Sequence, residues 1–230
     1  VAVGGGALGL GVNTASTNVA VGYNAGYDVT SGGNNTFVGA NSGSSVTTGT
    51  HNVMVGRDAG DAQTTASYSV AIGSEALTSN TTGAANIAVG RQSLKANTTG
   101  TNHTAVGVGA LKTVTTANNS TAVGHSALES NTSGAQNVAT GAFAGNKNTT
   151  GSYNTSYGYS ALTETTTGNN NTGLGGNAGN NLTTGTNNTV IGYNSDASSA
   201  TVSNEITLGD GSISALRCQV QSISALSDRR

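Results

Sequence analysis

The side chains able to do chemistry are few in this chain, and their spacing argues against an active site. Three histidines (His51, His103, His125), one cysteine (Cys218) and ten carboxylates are spread over 230 residues. Acid–base catalysis and hydrolytic metal sites need such groups gathered in pairs or triads. The acids, among them Asp58, Asp61, Glu75, Asp210 and Asp228, do not recur at the fixed spacing that a calcium-binding repeat demands. A lone cysteine excludes an intrachain disulfide and a cysteine-ligated metal cluster, and Cys218 reads as a buried thiol. Glycine-rich pieces such as Gly4–Gly6 and Gly107–Gly109 lack the following helix and downstream acid of a nucleotide site and read as turns. The expectation is a protein with no enzymatic activity, no metal and no cofactor.

Binding chemistry is a better prospect than catalysis. Tyrosines can serve as platforms for sugars, and Tyr153, Tyr157 and Tyr159 form the one local concentration of them, in a chain that has no tryptophan. The Asn-x-Thr triplets, for example Asn34–Thr36 and Asn187–Thr189, match glycosylation acceptors but follow from a repeat. A net charge of −2 with eight scattered basic residues speaks against nucleic acid or an anionic membrane as a partner. No apolar stretch approaches membrane-spanning length, so membrane insertion is not expected.

The repeat is what positions all of these side chains. Glycines 4, 22, 39, 56, 73, 90, 107, 124, 141, 158, 175, 192 and 209 recur at intervals of 17 residues, after a first interval of 18. Such self-similarity predicts an all-β parallel β-solenoid, or β-roll, of about 13 rungs, each burying its apolar face against its neighbours. Three residues before each anchor glycine stands a β-branched side chain, from Val1 and Val19 to Thr189 and Ile206, and one residue before it an aliphatic one in most repeats. Between them lies a small residue, as in Ala20, Ala71, Ala88, Ala105 and Ala122, with Phe37 and Met54 as bulkier exceptions. Alternation puts the β-branched pair on one strand face and alanine on the other, and such a strand suits burial on both sides. The reading is that one face is buried inside the coil and the alanine face against other chains.

After each anchor come a small residue, then a polar run that ends in Thr-Thr-Gly in many repeats, so each unit reads as strand, bend, short extended piece and turn. The turn glycines, such as Gly49, Gly83, Gly100 and Gly151, are expected to serve a positive φ or a close backbone approach. Asparagines four before the anchor, including Asn18, Asn35, Asn52, Asn86, Asn137 and Asn154, would stack in a column and hydrogen-bond to one another up the coil. His103 falls in this column and reads as a substitute for asparagine, not as a base or ligand.

Charged residues are 8% and aromatics 4% of the chain, and proline is absent, so an ordinary globular core is not on offer. Disorder is excluded by the strict register of the β-branched positions. A single narrow coil recovers little burial against the entropy of ordering each rung, so association into an elongated homotrimer is expected, with alanine faces sharing the axis.

The unit from Ser120 to Gly134, Ser-Thr-Ala-Val-Gly-His-Ser-Ala-Leu-Glu-Ser-Asn-Thr-Ser-Gly, resembles the repeats of bacteriophage tail fibres and related extracellular adhesive fibres, and is similar to the shorter repeats of trimeric autotransporter adhesin heads. The resemblance covers residues 1–209 and implies a trimeric fibre shaft, with a virion or cell-surface location and with other fibre segments and a host receptor or glycan as partners. Residues 210–230 form an apolar neck, and Ser227-Asp228-Arg229-Arg230 resembles the junction to an endosialidase-type intramolecular chaperone. That resemblance implies self-cleavage beside Ser227 and Asp228, by a chaperone domain of which no further part is present. Because Val1 begins inside a repeat strand, the chain is expected to be part of a longer protein.

Three functions follow as expectations: a rigid shaft, an adhesin whose surface binds glycan or protein, and an ice-binding solenoid presenting its Thr-Thr columns. Adjacent threonines point to opposite sides of an extended chain, which counts against the third. Variation just after the anchor (Tyr23, Ala40, Arg57, Ser74, Arg91, Val108) means that no single binding surface repeats along the whole chain.

Overall fold

The computed structural model describes residues 1–9, 14 and 16–215. Cys218, Ser227, Asp228 and most of the 210–230 neck therefore lie outside the described residues. Thirteen short strands, from β1 (Ala2–Val3) through β2 (Val19–Val21) to β13 (Ile206–Leu208), form one sheet in sequential order. Every neighbouring pair is parallel and in register, Thr104 with Thr121 and Val106 with Val123 for example. The fold is a β-solenoid with a 17-residue rung, and no helix occurs among the described residues. At about 4.8 Å per rung the stack is roughly 55–60 Å long.

The anchor glycine explains its own invariance. Gly124 has φ +141°, and a Cβ there would lie 2.4 Å from the carbonyl oxygen of Gly141 in the next rung. Both the torsion and the space exclude a side chain. The turn glycines serve close approach and not positive φ: a Cβ on Gly83 would meet the Gly100 carbonyl at 2.2 Å.

The two faces of the strand are the reverse of the sequence expectation. The middle residue of each triplet points into the coil, and Ala20, Ala71, Ala88, Ala105, Ala122 and Ala139 are wholly buried within a single chain. The β-branched pair points outward, half-buried or exposed. A 17-residue rung leaves too narrow a lumen for two β-branched side chains at every level, so the smaller face goes inside. The alanines cannot be an interface between chains.

The lumen is filled by trading volume between two positions. Leu77, Leu94, Leu111 and Leu128, four residues after their anchors, fill it where the strand supplies alanine. Where the strand supplies Phe37 or Met54, glycine takes the leucine position, since a Cβ on Gly43 would lie 2.3 Å from the Phe37 ring and one on Gly60 would lie 2.4 Å from the Met54 sulfur. The apolar core falls into two clusters, one ending at Ala144 and the other beginning at Leu162. They meet where the inward strand residues are Ser156 and Gly173, and Leu162 occupies the space over Gly173.

Candidate functional surfaces

Buried polar columns hold the rungs in register. The asparagine four before each anchor does not bond mainly to its own kind. Its Nδ2 donates to a backbone carbonyl 14 residues on, as Asn35 does to Gly49 at 2.9 Å, and its Oδ1 accepts the backbone N–H of the same column one rung later, here Asn52 at 2.9 Å. Only Asn188 to Asn171, at 3.0 Å, adds an amide-to-amide bond in this column among the described residues. The expected ladder of amides is therefore a side-chain-to-backbone staple, which satisfies turn groups that the strand ladder cannot reach.

His103 makes the same two bonds with a ring. Its backbone N–H donates to Asn86 Oδ1 at 3.0 Å, Nε2 lies 2.6 Å from the Ala117 carbonyl, and Nδ1 accepts the Ser120 N–H at 3.2 Å. The carbonyl fixes the proton on Nε2 and the amide keeps Nδ1 bare. Burial lowers the pKa of this imidazole below its usual 6.5, against the pull of its two backbone hydrogen bonds. It is a neutral structural group.

A true amide ladder exists in a different column, six residues before the turn-to-strand asparagine. Asn97 Nδ2 donates to Asn80 Oδ1 and Asn80 Nδ2 to Gln63 Oε1, each at 3.0 Å, and Asn148 donates to Asn131 at 3.2 Å. Val114 and Thr165 interrupt it, which leaves Asn97 Oδ1 and Asn148 Oδ1 buried without a partner. The Asn-Thr-Thr spelling of the repeat carried the signal for this column.

Outward groups sort into three surfaces. The first is the strand stripe, Thr, Val or Ile three before the anchor and Val, Ile, Thr, Tyr or Leu one before it, without a charge from β2 to β13. Val106 and Val123 are 37% exposed, Leu174 44% and Tyr157 56%. The second is a belt of ion pairs on neighbouring rungs: Glu75 with Arg57 and Lys95, Lys112 with Glu129, and Lys147 with Glu164. Lys95 and Gln92, by hydrogen bonding, hold the Glu75 carboxyl down to about 2. The Thr-Thr pair splits as the alternation requires: Thr64, Thr81 and Thr98 are half-buried, each donating its hydroxyl to a carbonyl of the next rung, while Thr65, Thr82 and Thr99 are less shielded.

The third surface is aromatic. Tyr153, Tyr157 and Tyr159 are all exposed but occupy three places on one rung: the turn before the strand, the strand stripe and the turn after it. None of them stacks on another. Tyr159 instead meets Phe143 edge-on at 6.0 Å, and Phe143 meets His125 at 5.2 Å. The sequence pattern hid these contacts because Phe143 is one residue out of step with the column of His125 and Tyr159. On the opposite edge of the strand His51 stacks on Tyr68 at 5.2 Å.

No group of three or more metal-binding side chains gathers among the described residues. No family model, curated protein or solved structure matches the chain.

Proposed function

We propose that this chain is the shaft segment of a homotrimeric extracellular fibre of the tail-fibre or fibre-like adhesin kind. It acts as a non-catalytic spacer joined to other fibre segments in a virion tail or on a cell surface. The observation that carries the reading is the uncharged strand stripe. Its two dozen partly exposed side chains amount to on the order of 1,000 Å² on one chain, above the few hundred Å² of contiguous apolar surface usual on a monomer and close to one partner's share of a stable interface. A periodic, uncharged, β-branched surface along the full length of a coil suits identical copies packed lengthwise around a common axis. The stripe, not the alanine face, is thus the inter-chain surface. Buried there, the stripe side chains add apolar contact at about 25 cal/mol per Å².

Light scattering on the intact chain tests the oligomer, with a mass near three times 22.4 kDa expected. The double variant Val106→Asp/Val123→Asp should fall to a folded β monomer, because it places charges at the middle of the stripe. A wild-type chain that remains monomeric at micromolar concentration would end the trimer reading.

A further inference from the structure

One unassigned surface combines aromatic rings, free amides and an absence of charge. Tyr159 and Tyr193 follow their anchor glycines directly, are 59% and 68% exposed, and stand two rungs apart in one column. At about 4.8 Å per rung their backbones are roughly 10 Å apart. Gly176 lies between them. The Tyr193 ring leans over it, with Cδ2 3.2 Å from where a Cβ would be, so any larger residue at 176 would displace the ring. Phe143 supports Tyr159 edge-on at an interplanar angle of 88°. In the adjoining column Asn177 Nδ2 donates to Asn194 Oδ1 at 2.8 Å, which leaves the Asn177 carbonyl oxygen and an Asn194 N–H directed at solvent. No charged side chain occupies either column from Ala142 to Asn194.

Phe143 holds φ +59°, the left-handed conformation that its whole column takes, at Asn41, Glu75, Gln92, Ser126, Asn177 and Asn194 among others, so the repeat sets the backbone there and leaves the side chain free to vary. Because the repeat keeps one backbone with any side chain, nothing in the coil calls for the exposed rings of Tyr159 and Tyr193.

We propose that this surface binds a neutral saccharide chain. The C–H faces of a pyranose are apolar and lie on aromatic rings, while its hydroxyls need paired donors and acceptors of the kind that Asn177 and Asn194 present. An acidic glycan would need a cation, and the neighbouring Lys147 is already paired with Glu164 at 2.7 Å. Two rings two rungs apart span about two sugar units. The site lies on the turn beside the strand stripe, so it stays open when copies pack through the stripe. It extends the shaft reading by giving the shaft a grip of its own.

The test is saturation-transfer NMR on the full chain with maltohexaose, cellohexaose and mannohexaose, and with hexagalacturonate as the acidic counterpart. Transfer to the ring C–H protons of at least one neutral hexamer is expected. Its affinity should fall at least tenfold in Tyr159→Ala, in Tyr193→Ala and in Gly176→Val. Tyr23→Ala, in the same column at the other end of the coil, should leave it unchanged. Three results overturn the proposal: no transfer to any neutral hexamer, transfer to hexagalacturonate alone, or full affinity in the Tyr159→Ala/Tyr193→Ala double variant. Failure of the shaft reading would show separately, in the solution mass.

Discussion

Replacing Asn35 by alanine isolates the worth of one staple. Its side chain accepts the Asn52 N–H and donates to the Gly49 carbonyl, and Asn35, Gly49 and Asn52 are all buried. Truncation orphans both backbone groups, at about 1–3 kcal/mol each, for a total of roughly 2–6 kcal/mol. Serine should recover about half, because its hydroxyl can accept the next rung's amide while leaving the carbonyl unpaired. The chain already uses that arrangement where Ser120 Oγ accepts the Asn137 N–H at 3.3 Å. Glycine at the adjacent exposed Asn34, which suits the φ of +60° there, should cost under about 1 kcal/mol. Urea unfolding gives the ranking, and hydrogen exchange at the Asn52 amide gives the local effect, an acceleration of about 30-fold or more in Asn35→Ala for 2 kcal/mol or more. Equal stabilities for the alanine and serine variants, or losses below about 0.5 kcal/mol in both, would refute the account of the staple as two separable bonds.

His103 makes stability depend on pH. Its folded pKa is depressed, so the unfolded chain binds the extra proton first, and stability should be full above pH 6.5 and decline as pH falls below it. Thermal melts of His103→Asn, which keeps both bonds without a titrating group, should lose this part of the acid slope. Val114→Asn should join the two amide ladders through Asn97 and Asn131, and melt above Val114→Thr by the equivalent of about 1 kcal/mol or more, since threonine is polar there without a ladder partner. Gly124→Ala should cost more than about 3 kcal/mol, from φ +141° and the Gly141 carbonyl together, and circular dichroism should show partial loss of β structure.

Period, strand position and rung count were legible in the sequence because a solenoid writes its geometry as self-similarity. The orientation of the strand was not. Alternation of Thr104, Ala105 and Val106 says that two faces differ but not which is inside, and the lumen width that decides it depends on leucines, such as Leu94 and Leu111, arriving from the bend. The asparagine column was visible as a column, yet its partners were not, since the carbonyls it bonds lie 14 residues away across the turn. Of the aromatic surface only the tyrosines on one rung stood out, because spatial neighbours such as Phe143 and Tyr159 are 16 positions apart rather than 17.

The strand ladder and the staples all run along the coil axis, which gives the rod a mechanical character. Pulling on its two ends loads the rungs in series, so each rung carries the whole force and the least cohesive one yields first. That rung lies between Ser156 and Gly173, where no single apolar cluster crosses the lumen. Stretched in optical tweezers, the rod should lengthen in rung-sized steps beginning there, acting as an extensible tether whose slack is released one coil at a time.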